Sequence, residues 1–227
     1  MARPRDASSA ATWQRIVTAA REELASDGEA AGANDLSLRQ VARRSGVSLG
    51  TIHYYFETRE ALLEACLDTY YDALRDLAAE LATALSVTTR ETAREIIPKL
   101  LRRMFRFAYA ERAQLKLRAL TNSRRGHLHP HRDMHERGPY LEAFSQSIAR
   151  LVDIDANGVR MVFQTMSFVV MQYVLLTDAE VEHIVGAGGD VGRQAIEDHV
   201  VSVGARLVFA TPPEASPKSA WTGPSSG

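Results

Sequence analysis

From about residue 12 to residue 209, apolar side chains recur every three to four positions, and strand signals are weak throughout. That period constrains this chain more than any other feature. Side chains three and four apart share one face of a helix, so each segment has a stripe to bury and nothing to pair as a sheet. The expected architecture is all-α with about nine helices. With 227 residues the chain can bury a substantial core.

The first helix is expected over residues 12–27, with Trp13, Ile16, Val17, Ala20 and Leu24 on one stripe. Residues 28–35 read as a loop, and two short helices follow. A long helix over 59–85 carries Leu63, Cys66, Leu67, Tyr70, Leu74, Leu77 and Leu81 inward. Residues 91–110 form another, with a kink expected at Pro98. Further helices are expected from 112 to about 122, over 140–151 and over 179–185. Residues 155–177 are apolar on nearly every face, which predicts a helix buried on all sides. A last helix covers 190–209. The Pro-, Ser- and Gly-rich stretch 211–227 is expected to be disordered. The organisation that follows is a flexible arm (1–11), a small unit (12–57), a larger helical domain (58–210) and a tail.

The run SLRQVARRSGVSLGTIHYYF, residues 37–56, is the informative segment. Ser37 with Gln40 three positions on has the spacing of a capping box. Val41 and Ala42 face inward, Gly46 supplies a tight turn, and Ser48 caps a second helix whose Ile52 and Tyr55 return to the core. Leu49, Gly50, Thr51, His53 and Tyr54 are left facing outward. Such a helix-turn-helix offers its second helix to the DNA major groove. Thr51 can donate, accept or touch a thymine methyl, and Gly50 lets the backbone come close. His53 and Tyr54 can reach phosphates or bases, and Arg39 suits a bidentate guanine contact. Ser37, Leu38, Ser48 and Arg59 complete the candidate interface, Ser37 and Arg59 standing at helix N-termini that suit phosphates.

The net charge of -1 gives no bulk argument for a nucleic-acid partner. Residues 38–59, however, hold Arg39, Arg43, Arg44 and Arg59 against Glu57 alone, a local balance of +3. Cys66 is the single cysteine, so no intrachain disulfide can form, which is compatible with a reducing compartment. No secretory leader is evident, and no uninterrupted apolar run approaches the ~18 residues of a membrane span. A soluble, cytoplasmic protein is expected.

The segment RIVTAAREEL, followed by SLRQVARRSGVSLGTIHYYFETREALL, closely resembles the tetracycline-repressor (TetR) family over residues 13–67. His53 stands where that family usually has tyrosine. The resemblance implies a homodimeric transcriptional regulator, usually a repressor released from a palindromic operator by a small effector. It also implies an effector cavity in the larger domain and a four-helix dimer interface built from the last two long helices.

Residues of the larger domain fill in those expectations. Met104, Phe107, Leu120, Phe144, Met166 and Tyr173 are large apolar residues on inward stripes. Each suits ordinary core packing, and together they suit a cavity for a mostly apolar small molecule. Residues 99–137 carry eleven Lys or Arg against Glu111, Asp133 and Glu136, an excess of +8. That excess admits an anionic effector, although a solvated face balanced by acids elsewhere is the plainer reading. Ala195, Ile196, His199, Val200, Val203 and Leu207 form a stripe that a monomer is expected to leave exposed. With Val159 and Val162 of the apolar 155–177 helix it predicts a two-fold interface.

No phosphate loop, nucleophile elbow or Cys-x-x-Cys pair appears, so no enzyme and no cofactor is expected. His127, His131 and His135 have a spacing used by metal sites, but Arg132 and Arg137 disfavour a nearby cation, and no metal site is assigned. Two other functions stay open: a metal-responsive regulator using that histidine tract, and a ligand-binding protein of the same fold that does not touch DNA.

Overall fold

The computed structural model describes residues 7–26, 36–125 and 138–210. Among them are ten helices and no strand, one for each helical span expected above although the stated count was about nine, so the all-α expectation holds. They are α1 (Ala7–Ser26), α2 (Leu38–Ser45), α3 (Leu49–Tyr55), α4 (Arg59–Ser86) and α5 (Arg90–Ala110). Then come α6 (Arg112–Arg125), α7 (Gly138–Ala149), α8 (Ala156–Val174), α9 (Asp178–Val185) and α10 (Gly189–Phe209). No single helix among the described residues is long and apolar enough to cross a membrane.

Side-chain caps set most of the starts. Thr58 accepts from the Ala61 amide at 3.1 Å, and Asp155 accepts from the Gly158 amide at 2.7 Å. Thr89 with Thr92, and Thr177 with Glu180, form reciprocal capping boxes that start α5 and α9. α5 runs unbroken through Pro98. α1 begins five residues earlier than periodicity indicates, because Ser9 and Tyr55 share a hydroxyl hydrogen bond of 3.0 Å that ties its first turn to α3.

The core is two apolar clusters. The first joins Ile16, Val17 and Ala20 of α1 to Val41, Ile52 and Phe56, and continues through Leu62, Cys66 and Tyr70 of α4 into α5, α6, α8, α9 and α10. The second gathers Leu77, Leu81 and Leu85 of α4 with Ala93 and Ile97 of α5, Ile148 of α7 and Val159 of α8. α1 packs on α2, α4 and α6, and α10 packs on α5, α8 and α9. Gly204 lets α10 approach α5 and α8: a Cβ there would stand 3.0 Å from Leu101 Cδ1 and 3.1 Å from Met166 Cε. Polar contacts reinforce the α5–α10 seam. Arg102 donates to Glu197 at 2.5 Å and Arg106 donates to it at 3.0 Å. Burial opposes the charge on Glu197, but the hydrogen bonds from Arg106 and Arg102 outweigh it and hold the carboxyl below its usual range.

Two expectations about the larger domain need correction. α8 is not buried on all sides: Met161 is 69% exposed and Phe168 56% exposed, while Val159, Met166 and Val174 are buried. Thr165 and Gln172 are exposed on the same side, so Met161, Thr165, Phe168 and Gln172 make one outward row at helical spacing. The stripe on α10 is likewise not left open. Ile196 and Val200 are buried inside the subunit against its own core, as is Val159 on α8. Val162, Ala195, Val203 and Leu207 are half-buried, and only His199 of that set is exposed. The physical reason is that α10 already has three neighbouring helices to receive its apolar side.

Candidate nucleic-acid interface

α2 and α3 meet at Gly46, whose φ of 68° and ψ of 29° lie in the left-handed region that glycine enters cheaply. The turn closes with Val47 donating to the Ala42 carbonyl at 3.1 Å. At the start of α2, Ser37 accepts from the Gln40 amide at 3.3 Å. The second half of the expected capping box gives way to another contact, because the Gln40 side chain accepts from Arg43 instead.

Ser48 accepts from the Thr51 amide at 3.0 Å, and the two hydroxyls lie 2.8 Å apart. The inner face of α3 is fixed by Ile52, which is fully buried, and by Phe56 at its C-cap, which lies 6.1 Å from Trp13 ring to ring. Tyr55 packs half-buried against the core, edge-on to Tyr54 at 5.3 Å. With that side committed, Leu49, Gly50, His53 and Tyr54 stand exposed, Tyr54 at 82%. Arg39 and Ser48 are exposed beside them, and Ser37, Thr51 and Arg59 are half-buried. Leu38 packs partly against the apolar cluster, which makes it a structural member of the group as well as a surface one.

The local positive balance is smaller than the sequence count. Arg44 is paired with Glu23 at 3.0 Å and reaches Glu22 at 3.8 Å, both on α1, so its charge serves the packing of α2 on α1.

Residues 16–66 match the model of the bacterial regulatory proteins of the tetR family. The N-terminal unit therefore carries the sequence signature of the tetR-family regulators. The matched region runs from α1 into α4 and contains the whole helix-turn-helix. Solved structures of similar fold extend over most of the chain. One, from Mesorhizobium loti and described as a TetR-family transcriptional regulator, has 18% identity and a TM-score of 0.63, covering 89% of this chain and 98% of its own. The fatty acid degradation regulator FadR from Bacillus halodurans has 16% identity and a TM-score of 0.59, covering 89% and 97%. A TetR-like transcriptional regulator from a Rhodococcus species has 12% identity and a TM-score of 0.57, covering 87% and 93%. At these identities the likeness is one of fold. No curated protein matches the sequence of this chain.

The expected effector residues are brought to two places, not one. Met104 and Phe144 pack on the second cluster, Met166 and Tyr173 belong to the first, and Phe107 borders both. Leu120 lies on α6 with its side chain outside the described part. Tyr173 borders a cavity of about 20 Å³ with Phe105, Tyr109, Leu176 and Arg193, which is room for a single water. The histidine tract 127–135 lies outside the described residues. Much of the basic excess on α5 is met by acids: Lys99 by Glu95, Arg103 by Glu80, Arg102 and Arg106 by Glu197. Sequence reading missed two polar groups that tie α1 to the α5–α6 corner, Arg21 and Gln114, since each meets its counterpart far away along the chain.

Proposed function

We propose that this protein is a homodimeric transcriptional repressor in which two copies of α3 enter successive major grooves of a palindromic operator. The observation that carries the reading is α3 itself. Its Ile52 side is locked into the core, and its opposite side presents Leu49, Gly50, His53 and Tyr54 to solvent. Thr51 lies between, its hydroxyl held by Ser48 and able to meet a base edge. Arg39 and Arg59 flank the groove-facing helix and suit guanine and phosphate. The DNA-binding unit is residues 7–57, its start moved back to include the first turns of α1, and residues 58–210 hold the effector and the dimer contacts.

A dimer is required by the task, because half-sites lie about 34–36 Å apart and one subunit reads one of them. The exposed Met161 and Phe168 on α8 suit a two-fold apolar contact of that kind. A small, mostly apolar effector that favours a different spacing of the two α3 helices would release the operator. Its leverage equals its differential affinity for the two poses.

Operator binding is tested by fluorescence anisotropy with DNA from the protein's own promoter. Wild type is expected to bind, and Thr51→Ala combined with Tyr54→Ala to lose about 2–5 kcal/mol of that binding. Retention of full affinity by the double variant, or no binding by wild type, removes the reading in favour of a ligand-binding protein that does not touch DNA.

A further inference from the structure

The N-terminal unit is held to the rest of the chain by more than the continuous helix α4. Arg21, on α1, reaches ninety residues along the chain to Glu111, the residue between α5 and α6. Its Nη2 donates to both carboxylate oxygens, at 2.8 and 2.7 Å. In the amide orientation that gives both ends a partner, Gln114 accepts from Arg21 Nε at 2.7 Å and donates to the Glu111 carbonyl at 3.2 Å. Gln114 is 4% exposed, and the Glu111 side chain 14%.

We infer that Arg21, clamped by Glu111 and Gln114, is a positioning residue for DNA binding that fixes the pose of the helix-turn-helix against the α5–α6 corner. The inference rests on the DNA-binding reading above. Apolar packing beneath α1 tolerates small shifts, whereas a planar guanidinium held at both Nε and Nη2 fixes orientation. The corner is itself stiff: the Glu111 amide donates to the Phe107 carbonyl at 2.9 Å, and the Leu115 amide donates to the Glu111 carbonyl at 3.0 Å. Tyr109, in the same turn, lies under Arg112 at 4.7 Å and near Arg193 of α10 at 5.9 Å. A displacement of α10 or of the corner therefore has a direct polar route to α1, separate from any swing of α4. Loosening the clamp leaves the operator-competent pose only partly populated, and apparent affinity falls by that fraction.

The test uses the full-length dimer with Arg21→Gln, Glu111→Gln, both together, and the exchange of Arg21→Glu with Glu111→Arg. Operator affinity is read by anisotropy. The distance between subunits is read by pulsed electron spin resonance from a label at Glu57→Cys, an exposed position. Cys66 does not compete for label, since burial pushes its thiol up to about 12. Each single variant is expected to bind the operator about five- to tenfold more weakly. The double variant should be no weaker than either, the distance distribution should broaden, and the exchange should recover most of the affinity. If a single variant does not fold, the exchanged pair decides: affinity near wild type supports the clamp, and affinity as low as the double variant overturns it. Wild-type affinity in both singles, additive losses in the double, or weakened binding with an unchanged distance distribution also overturns it while leaving DNA binding in place. Absence of operator binding by wild type sinks the DNA-binding reading, and this inference with it.

Discussion

Gly50 separates what the fold wants from what the surface is for. A Cβ there would meet nothing closer than Ser48 Oγ at 3.7 Å, so the fold has room for alanine. Glycine inside a helix costs roughly 0.5–1 kcal/mol relative to alanine. A residue that weakens its own helix without steric need points outward, to a close approach by DNA. Gly50→Ala is therefore expected to raise stability by up to about 1 kcal/mol, less near a helix start, while lowering operator affinity. Urea denaturation and anisotropy on one preparation check both signs, and a stabilised variant that binds as wild type contradicts the close-approach account. At this scale much of the candidate site was legible. The outward set on α3 follows from helical period once Ile52 and Phe56 are placed inside. Half of the Ser37–Gln40 box was not, because Arg43 competes for the Gln40 side chain, and spacing alone does not rank two partners.

Among the helices, the α5–α10 seam shows where reading a sequence stops. The basic excess over residues 99–137 was visible, but its acid partner was not. Glu197 lies 95 residues from Arg102, and no period links them. Glu197 is 7% exposed and accepts from both Arg102 and Arg106. Its carboxyl is held below the usual range, so the folded state binds its proton less readily than the unfolded chain does. Stability from this group is fully present above the unfolded value of about 4.3 and fades as pH falls through the lower folded value. Glu197→Gln is expected to cost about 1–3 kcal/mol at pH 7, since a hydrogen-bonded charge is replaced by a weaker acceptor. The gap to wild type should narrow below about pH 4, where wild type begins to lose the same charge. Thermal melts from pH 3 to pH 7 report it, and a gap that stays constant over that range rules out the charged seam. Helix starts carry more local signal than such pairings, though apolar period can hide it. Thr177 with Glu180 has a capping signature within four residues, yet the helix expected over 155–177 runs through Thr177, and the early start of α1 goes with a contact to Tyr55 across the fold.

For the molecule as a whole, period told which residues are apolar on a helix but not whether a given stripe meets its own chain or a second copy. Ile196 and Val200 were expected to face a partner, yet α5 and α8 already cover them. The row left over is on α8, where Met161 and Phe168 stand two turns apart with Thr165 between them and Gln172 beyond. A pair of large apolar side chains this exposed is costly in water and suits a contact repeated about a two-fold axis. The two kinds of position make opposite demands. Ile196→Ala, which opens a cavity inside one subunit, is expected to cost about 2–5 kcal/mol of stability. Phe168→Glu leaves that core untouched and places a charge where a symmetry mate would place another. It is expected to yield a folded monomer by light scattering, with helical content retained by circular dichroism and operator affinity reduced at least tenfold, because one subunit reads one half-site. If Phe168→Glu, alone and combined with Met161→Glu, remains dimeric at micromolar concentration, the α8 row is not the interface. The half-buried edge of α10 around Val203 and Leu207 is then the next surface to test.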